Sequence, residues 1–170
     1  MKNLVKFVIG ILVLSLITII LINCKQDSIR DPIDYAHLVI KLQRGPCFGT
    51  CPIYKLTIKG NGDVTFEGGK YVKNAGEVHD KISREKIDLL LHEFKAVDYF
   101  SLKDNYTKVG VTDLPYVFTS ITINGKSKEI AHYHGDSSAP KALSDLENKI
   151  DEIVGTDKWI GTVEERRRSL

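Results

Sequence analysis

The chain has 170 residues, with 24 lysines and arginines against 22 acidic residues. The first 23 residues hold two of the lysines and no acid, so the remainder is balanced at 22 of each sign. Nucleic acid is bound through a basic patch, so a formally neutral chain is not expected to have a nucleic-acid partner. About 130 residues follow the N-terminal segments, which is enough for one domain with its own apolar core.

The N-terminus has the layout of an export signal. Lys2 and Lys6 precede an apolar run from Phe7 to Ile22, which is the pattern of a secretory signal peptide. The run is short for a membrane span, which needs roughly 20 apolar residues, although an uncleaved anchor stays open as the alternative. It ends in Leu-Ile-Asn-Cys, which resembles the lipobox of bacterial lipoproteins, with Asn23 in place of the usual small residue. The resemblance implies that a signal peptide over residues 1–23 is removed and that Cys24 is lipidated.

The residues after Cys24 indicate how the mature chain is organised. Residues 24–34 are polar and are expected to be a tether, residues 35–160 a single domain, and residues 161–170 a charged tail. Lys25 and Gln26 follow the cysteine, a sequence similar to that of lipoproteins sent to the outer membrane. We therefore expect a lipid-anchored protein of the bacterial cell envelope and periplasm, on the outer membrane in preference to the inner one.

The first half of the domain shows the two-residue period of strands. Leu38 to Leu42 is a short β-branched apolar stretch, and Tyr54 to Lys59 alternates apolar and polar residues. The glycine-rich turn Gly60 to Asp63 then reverses the chain into a partner strand with Val64 and Phe66. A further strand is expected within Tyr71 to His79.

The second half combines two helices with a hairpin. A helix is predicted from Ser83 to about Val97, because its apolar residues recur at helical spacing. Residues 103–115 are expected to be a loop, and Asn124-Gly125 to be the turn of a hairpin that pairs Val117 with His132. A second helix is predicted from Pro140, with Gly155 as its stop and an apolar stripe of Leu143, Leu146, Ile150, Ile153 and Val154. The expected fold is α+β, with a single antiparallel β-sheet and two α-helices packed on one face.

The stretch Arg44 to Tyr54 contains two cysteines framed by prolines. Once Cys24 is lipidated, Cys47 and Cys51 are the two remaining cysteines of an exported chain, which favours a disulfide bond between them. Such a bond is expected to stabilise the fold by about 2 kcal/mol. The alternative is a copper or zinc site made of Cys47, Cys51, His132 and His134. The Cys-x-x-x-Cys-Pro spacing resembles the copper loop of Sco-type assembly factors, but here a strand follows the cysteines where those proteins have a helix. A redox role is disfavoured by the same strand and by the spacing.

No catalytic motif is found in the sequence. There is no nucleophile elbow, zinc-protease motif, phosphate loop or calcium loop. His132 lies on the more apolar face of its strand, so it is expected to be a hydrogen-bonded and half-buried residue. Asp113 precedes Leu-Pro, as turn residues often do. The chain is therefore expected not to be an enzyme and to need no cofactor, with copper or zinc as the alternative.

The stretch CFGTCPIY carries a family resemblance. Together with the glycine-turned strand pair, the TDLP segment and the Asn-Gly hairpin, it resembles an uncharacterised family of bacterial envelope domains over residues 38–154. That family implies no activity. We expect a non-catalytic binding domain, attached to the membrane by its lipid, that meets an envelope protein partner. Its candidate binding surface comprises Phe48, Thr50, Tyr54, Asp113 and His132.

Overall fold

The computed structural model of the chain describes residues 32–167. The predicted signal peptide, Cys24, most of the predicted tether and the last three residues lie outside this range. Between residues 32 and 167, no helix is long and apolar enough to cross a membrane.

The domain is built on one seven-stranded sheet. The strands are β1 (Val39–Arg44), β2 (Tyr54–Lys59), β3 (Asp63–Gly68), β4 (Gly76–Lys81), β5 (Asn105–Tyr106), β6 (Tyr116–Ile123) and β7 (Lys126–Tyr133). Their order across the sheet is β4-β3-β2-β1-β6-β7-β5. The helices are α1 (Arg84–Ala96), α2 (Lys141–Val154), α3 (Asp157–Ile160) and α4 (Val163–Arg167), with a 3₁₀ turn at Tyr99–Ser101.

The expected single antiparallel sheet with two helices is wrong. Strand β5 runs parallel to β7 at the sheet edge, pairing Asn105 with Ala131 and Tyr106 with His132, so the sheet is mixed. Strand β6 lies between β5 and β7 along the chain and pairs antiparallel with β7, so β5 and β7 are not joined by the tight hairpin that would impose antiparallel pairing. Helices α3 and α4 are additional to the two expected ones, and each is too short to show a helical period in the sequence.

The hairpin of β6 and β7 forms as predicted. Asn124 and Gly125 both have positive φ angles, 49° and 73°, as a two-residue type I′ turn requires. This turn sets the register, and Val117 pairs with His132 as expected from the sequence. The hairpin thereby fixes which residues of β7 point into the core.

Alternate residues of the strands build the core together with α1 and α2. Each of the four central positions Ile40, Leu42, Leu56 and Phe66 is fully buried, while the intervening side chains are more exposed. Helix α1 contributes Ile87, Leu90 and Phe94 to the same cluster. Helix α2 contributes the predicted stripe and ends at Gly155, which has a φ of 79°. The helices thus cover one face of the sheet.

The core continues past α2. Trp159 of α3 is buried, and its ring lies 5.1 Å from that of Phe66 on β3. The backbone N–H groups of Lys73 and Asn74 donate to the carbonyls of Ile160 and Trp159, each at 2.9 Å. Beyond it, α4 lies in the segment expected to be a charged tail, and Glu165 pairs with Lys73 at 2.8 Å.

Candidate functional site

Residues 45–53, the cysteine loop, connect β1 to β2 at one end of the sheet. The sulfur atoms of Cys47 and Cys51 lie at disulfide-bonding distance, with their Cα atoms 5.8 Å apart. The Gly45 N–H donates to the Tyr116 carbonyl at 2.8 Å, and the Phe48 N–H donates to the Asp113 carbonyl at 3.1 Å. The loop is therefore closed by its own cross-link and tied to the segment that precedes β6.

That segment, residues 107–115, is called here the facing loop. Asp136 holds its start, accepting hydrogen bonds from the Lys108 N–H at 2.8 Å and from the Ser138 hydroxyl at 2.7 Å. These hydrogen bonds hold the pKa of Asp136 below its usual value, and the bond from Ser138 has the largest effect. Tyr133 holds its end, because its hydroxyl donates to the Val111 carbonyl at 2.6 Å and accepts from the Leu114 N–H at 3.3 Å.

The two loops enclose a shallow groove of about 520 Å³, the apolar groove. Phe48 stands beside it with 87% of its surface exposed. Val109 and Leu114 of the facing loop are also exposed, as is the nearby Val111. The lining includes Pro46, Cys47, Phe48, Val109, Asp113 and Leu114. Large exposed apolar side chains concentrated in this way mark interaction sites more often than scattered ones do.

The residues expected to form the binding surface do not all meet at this groove. Phe48 and Asp113 line it, and Asp113 has a φ of 75°, in keeping with its predicted turn. Thr50 is exposed on the cysteine loop but is not among the lining residues. Tyr54 and His132 are buried, so they contribute to the interior and not to a surface.

His132 belongs to a buried polar cluster with His134 and Glu147, the His-Glu-His cluster. His132 Nδ1 lies 2.7 Å from Glu147 Oε1, and His134 Nε2 lies 2.8 Å from Glu147 Oε2. Burial alone would raise the pKa of Glu147, but hydrogen bonding to the two histidines holds it below its usual value. His132 is thus the hydrogen-bonded histidine predicted from its strand face, and it is more deeply buried than expected.

The metal site expected as the alternative divides into two parts. Cys47 and Cys51 pair with each other in the cysteine loop. In the part of the chain that the structure describes, the group able to hold a metal ion is His132, His134 and Glu147, with donor atoms within 4.8 Å of one another. The two histidines therefore come together as expected, but with Glu147 and not with the cysteines.

A second polar group lies one helical turn further along α2. Asp151 accepts hydrogen bonds from Arg44 Nε at 2.8 Å and from the Tyr54 hydroxyl at 2.7 Å. The Thr156 hydroxyl donates to the same carboxylate at 2.9 Å. Burial and the nearby Asp151 carboxylate raise the pKa of Tyr54, so its phenol stays protonated. Tyr54 accordingly joins the sheet to α2 and is a structural residue.

Sequence reasoning missed Glu147 and Tyr133. Glu147 falls four residues after Leu143 and three before Ile150, so it occupies a position of the apolar stripe that was passed over because it is charged. The sequence did contain a signal for the cluster. Glu147 lies on an apolar stripe, and the predicted strand Lys126 to His134 carries two histidines two residues apart. Tyr133 carried no comparable signal, because its partners are backbone groups of a loop.

Comparison with known proteins identifies the family of this domain. Residues 38–154 match the domain of unknown function DUF6438, the same range over which the sequence resembles an uncharacterised family. The resemblance to a domain of unknown function is thereby confirmed, whereas the lipoprotein features and the CFGTCPIY signature stay predictions. No curated protein matches the chain. Because the matched segment spans well over half of its length, the chain belongs to the DUF6438 family.

Proposed function

We propose that this protein is a lipid-anchored component of the bacterial cell envelope that binds another envelope protein through the apolar groove. The observation that carries the proposal is Phe48, which is 87% exposed at the tip of a covalently closed loop. Exposing a phenylalanine to water is unfavourable by about 2 kcal/mol relative to burying it, so a partner that covers it gains this free energy. A loop held by a disulfide also loses little conformational entropy on binding.

The position of the groove relative to the tether supports a protein as the occupant. The Asp34 N–H donates to the side chain of Asn124 at the β6–β7 turn. The cysteine loop follows the opposite end of β1, which at six residues is about 20 Å long. The described part of the chain thus begins at the far end of the sheet from the groove. We therefore assign the groove to the apolar side chains of a protein partner and not to the bilayer that holds the anchor.

The polar groups of the groove favour binding over catalysis. The Tyr133 hydroxyl is engaged by backbone groups of the facing loop. Asp113 accepts a hydrogen bond from the neighbouring Thr112 hydroxyl at 3.2 Å. Both groups are therefore engaged within the facing loop, and the apolar side chains of the groove are the part of it that a partner can cover.

The partner is tested by cross-linking at the groove in living cells. A photo-reactive phenylalanine analogue at position 48 is expected to capture one defined envelope protein, identified by mass spectrometry. The matched control carries the analogue at Leu89, a 46% exposed residue of α1, and should not capture that protein. A Val109→Asp change in the lining of the same groove is expected to abolish the capture. Equal capture from both positions, or a product containing only a second copy of this chain, would overturn the proposal.

The anchor is tested separately by feeding cells a fatty acid that carries an alkyne. The protein is expected to take up the label and to lose it in a Cys24→Ser variant. A Cys47→Ser/Cys51→Ser double variant is the control and should keep the label. Absence of label from the wild-type protein contradicts the lipid anchor without affecting the partner experiment.

A further inference from the structure

We propose that His132, His134 and Glu147 form a binding site for a divalent transition-metal ion, with zinc as the ion the donor set fits best. The site is independent of the cysteine loop and goes beyond the binding function proposed above. Two imidazole nitrogens and one carboxylate are a common zinc ligand set, and such three-residue sites leave a fourth position for water or another ligand.

The fold fixes two of the three donors on regular structure and the third directly beside a strand. His132 lies on β7 and His134 directly follows it, so their side chains share one side of the strand. Tyr133 between them points to the opposite side and lines the apolar groove. Glu147 lies in the middle of α2, flanked along the helix by the buried Leu143 and Ile150. Ligands on a strand and a packed helix are held more precisely than ligands on loops.

The burial of Glu147 is unusual for a residue without a metal or a permanently charged partner. The residue is 0% exposed, and its ion-pair partners within the described residues are the two histidines. A buried carboxylate is strongly destabilising unless a cation or several hydrogen bonds compensate it. Arg44 interacts electrostatically with Glu147, but its ion pair is with Asp151. A divalent ion between the imidazoles and Glu147 would supply this compensation in place of the two hydrogen bonds.

The distances allow an ion to enter with small adjustments. The two nitrogen–oxygen separations of 2.7 and 2.8 Å are hydrogen-bond lengths. Ligands at ordinary zinc distances and tetrahedral angles are about 3.3 Å apart, so each hydrogen-bonded pair must separate by roughly half an ångström. The three donor atoms lie within 4.8 Å of one another, so the widest separation among them must contract. The His134 side chain is 26% exposed, which gives an entry path and an open side for the fourth ligand. On binding, zinc takes the place of the protons that lie between the nitrogens and the carboxylate.

The test is a calorimetric titration of the full-length protein, purified in detergent and stripped with a chelator. We expect one zinc ion per chain and at least a tenfold weaker affinity in Glu147→Gln, because even indirect supports of zinc ligands contribute 10- to 100-fold. Glutamine preserves the shape of Glu147 and can still form a hydrogen bond with each histidine, so the fold should persist. His134→Gln, at the partly exposed end of the cluster, is the second variant should the first fail to fold.

Two control variants separate this site from the alternatives. His79→Gln removes an exposed histidine that pairs with Glu77, and it should bind zinc as the wild type does. Cys47→Ser/Cys51→Ser should also bind zinc normally. Absence of stoichiometric zinc binding by the wild type overturns the proposal. Unchanged affinity in a folded Glu147→Gln or His134→Gln protein overturns it as well, and so does loss of zinc from the double cysteine variant.

Discussion

At the scale of single residues, Asp151 connects three parts of the domain. Its carboxylate receives hydrogen bonds from Arg44 on β1, from Tyr54 on β2 and from Thr156 just beyond α2. Arg44 also reaches Asn148 at 3.0 Å, one turn earlier on the helix. The side chains of Arg44 and Asp151 are each only 17% exposed. The group therefore fixes α2 over the first two strands by interactions largely shielded from water.

Replacing Asp151 with alanine should lower the free energy of unfolding by about 3 kcal/mol, because it leaves the buried Arg44 charge and the Tyr54 hydroxyl without their acceptor. Asp145→Ala, which breaks an exposed pair with Lys141 on the same helix, is the control and should cost less than about 1 kcal/mol. Urea unfolding followed by Trp159 fluorescence measures both, since Trp159 is buried and is the only tryptophan in the chain. Equal losses in the two variants would contradict the role assigned to Asp151.

At the scale of elements, the groove depends on two short segments held by different means. The cysteine loop has a disulfide that spans four positions along the chain. The facing loop has no such cross-link among its described residues and is held by Asp136 and Tyr133. One backbone hydrogen bond, from Phe48 to Asp113, joins them. Each segment can therefore be loosened separately.

Removing the disulfide should weaken the domain without unfolding it. Cys47→Ser/Cys51→Ser is expected to lower the unfolding free energy by about 2 kcal/mol, the amount the chain-entropy relation gives for so short a closed loop. Chemical denaturation in the absence of reductant measures the loss. A phosphine reductant should destabilise the wild type by a similar amount and leave the double variant unchanged. A reductant effect on the double variant would show that the loss has another source.

The attachment of the facing loop through Asp136 should weaken at low pH. The pKa of Asp136 is lowered in the folded state, so its stabilising contribution is full above the unfolded-state value of about 3.9 and is lost as the pH falls through the folded-state pKa. Asp136→Asn is therefore expected to melt at a lower temperature than the wild type at pH 7, with the gap narrowing as the pH falls below about 3.9. Thermal unfolding of both proteins across this range checks the expectation. A gap that stays constant down to pH 3 would contradict it.

The same elements show what sequence could and could not predict. The β6–β7 hairpin and the helices α1 and α2 are long enough to display their periods, and their positions follow from the pattern. Strand β5 has two residues, and its parallel pairing with β7 is decided by contacts far apart in the chain. Glu147 was hidden for a related reason, because charged residues are expected at the surface and its burial depends on two histidines of a distant strand. The groove forms where two loops meet, and the residues of its lining that the sequence analysis singled out are Cys47, Phe48 and Asp113.

At the scale of the whole molecule, the folded unit extends beyond the segment that matches the family. The match ends at Val154, yet Trp159 packs on Phe66 and closes the core over β3. The backbone bonds from Lys73 and Asn74 to α3 attach the same segment to the chain before β4. By contrast, α4 is joined to the domain through an exposed pair between Glu165 and Lys73. The Lys73 ammonium lowers the pKa of Glu165 to about 2, so this pair persists at all but strongly acidic pH.

Two truncations should therefore differ sharply. A chain ending at Val154 loses Trp159 and exposes Phe66, so its unfolding free energy should fall by about 4 kcal/mol, as for burial lost in a large-to-small core change. Trp159→Ala in the full chain should cost a similar amount. A chain ending at Ile160 keeps the tryptophan and loses α4 with its exposed pair to Lys73, so its melting temperature should stay close to that of the full chain. Circular dichroism follows all three without relying on tryptophan fluorescence. If the chain ending at Val154 had the same melting temperature as the full chain, the family segment alone would be the folding unit. The packing of Trp159 on Phe66 would then contribute little to stability.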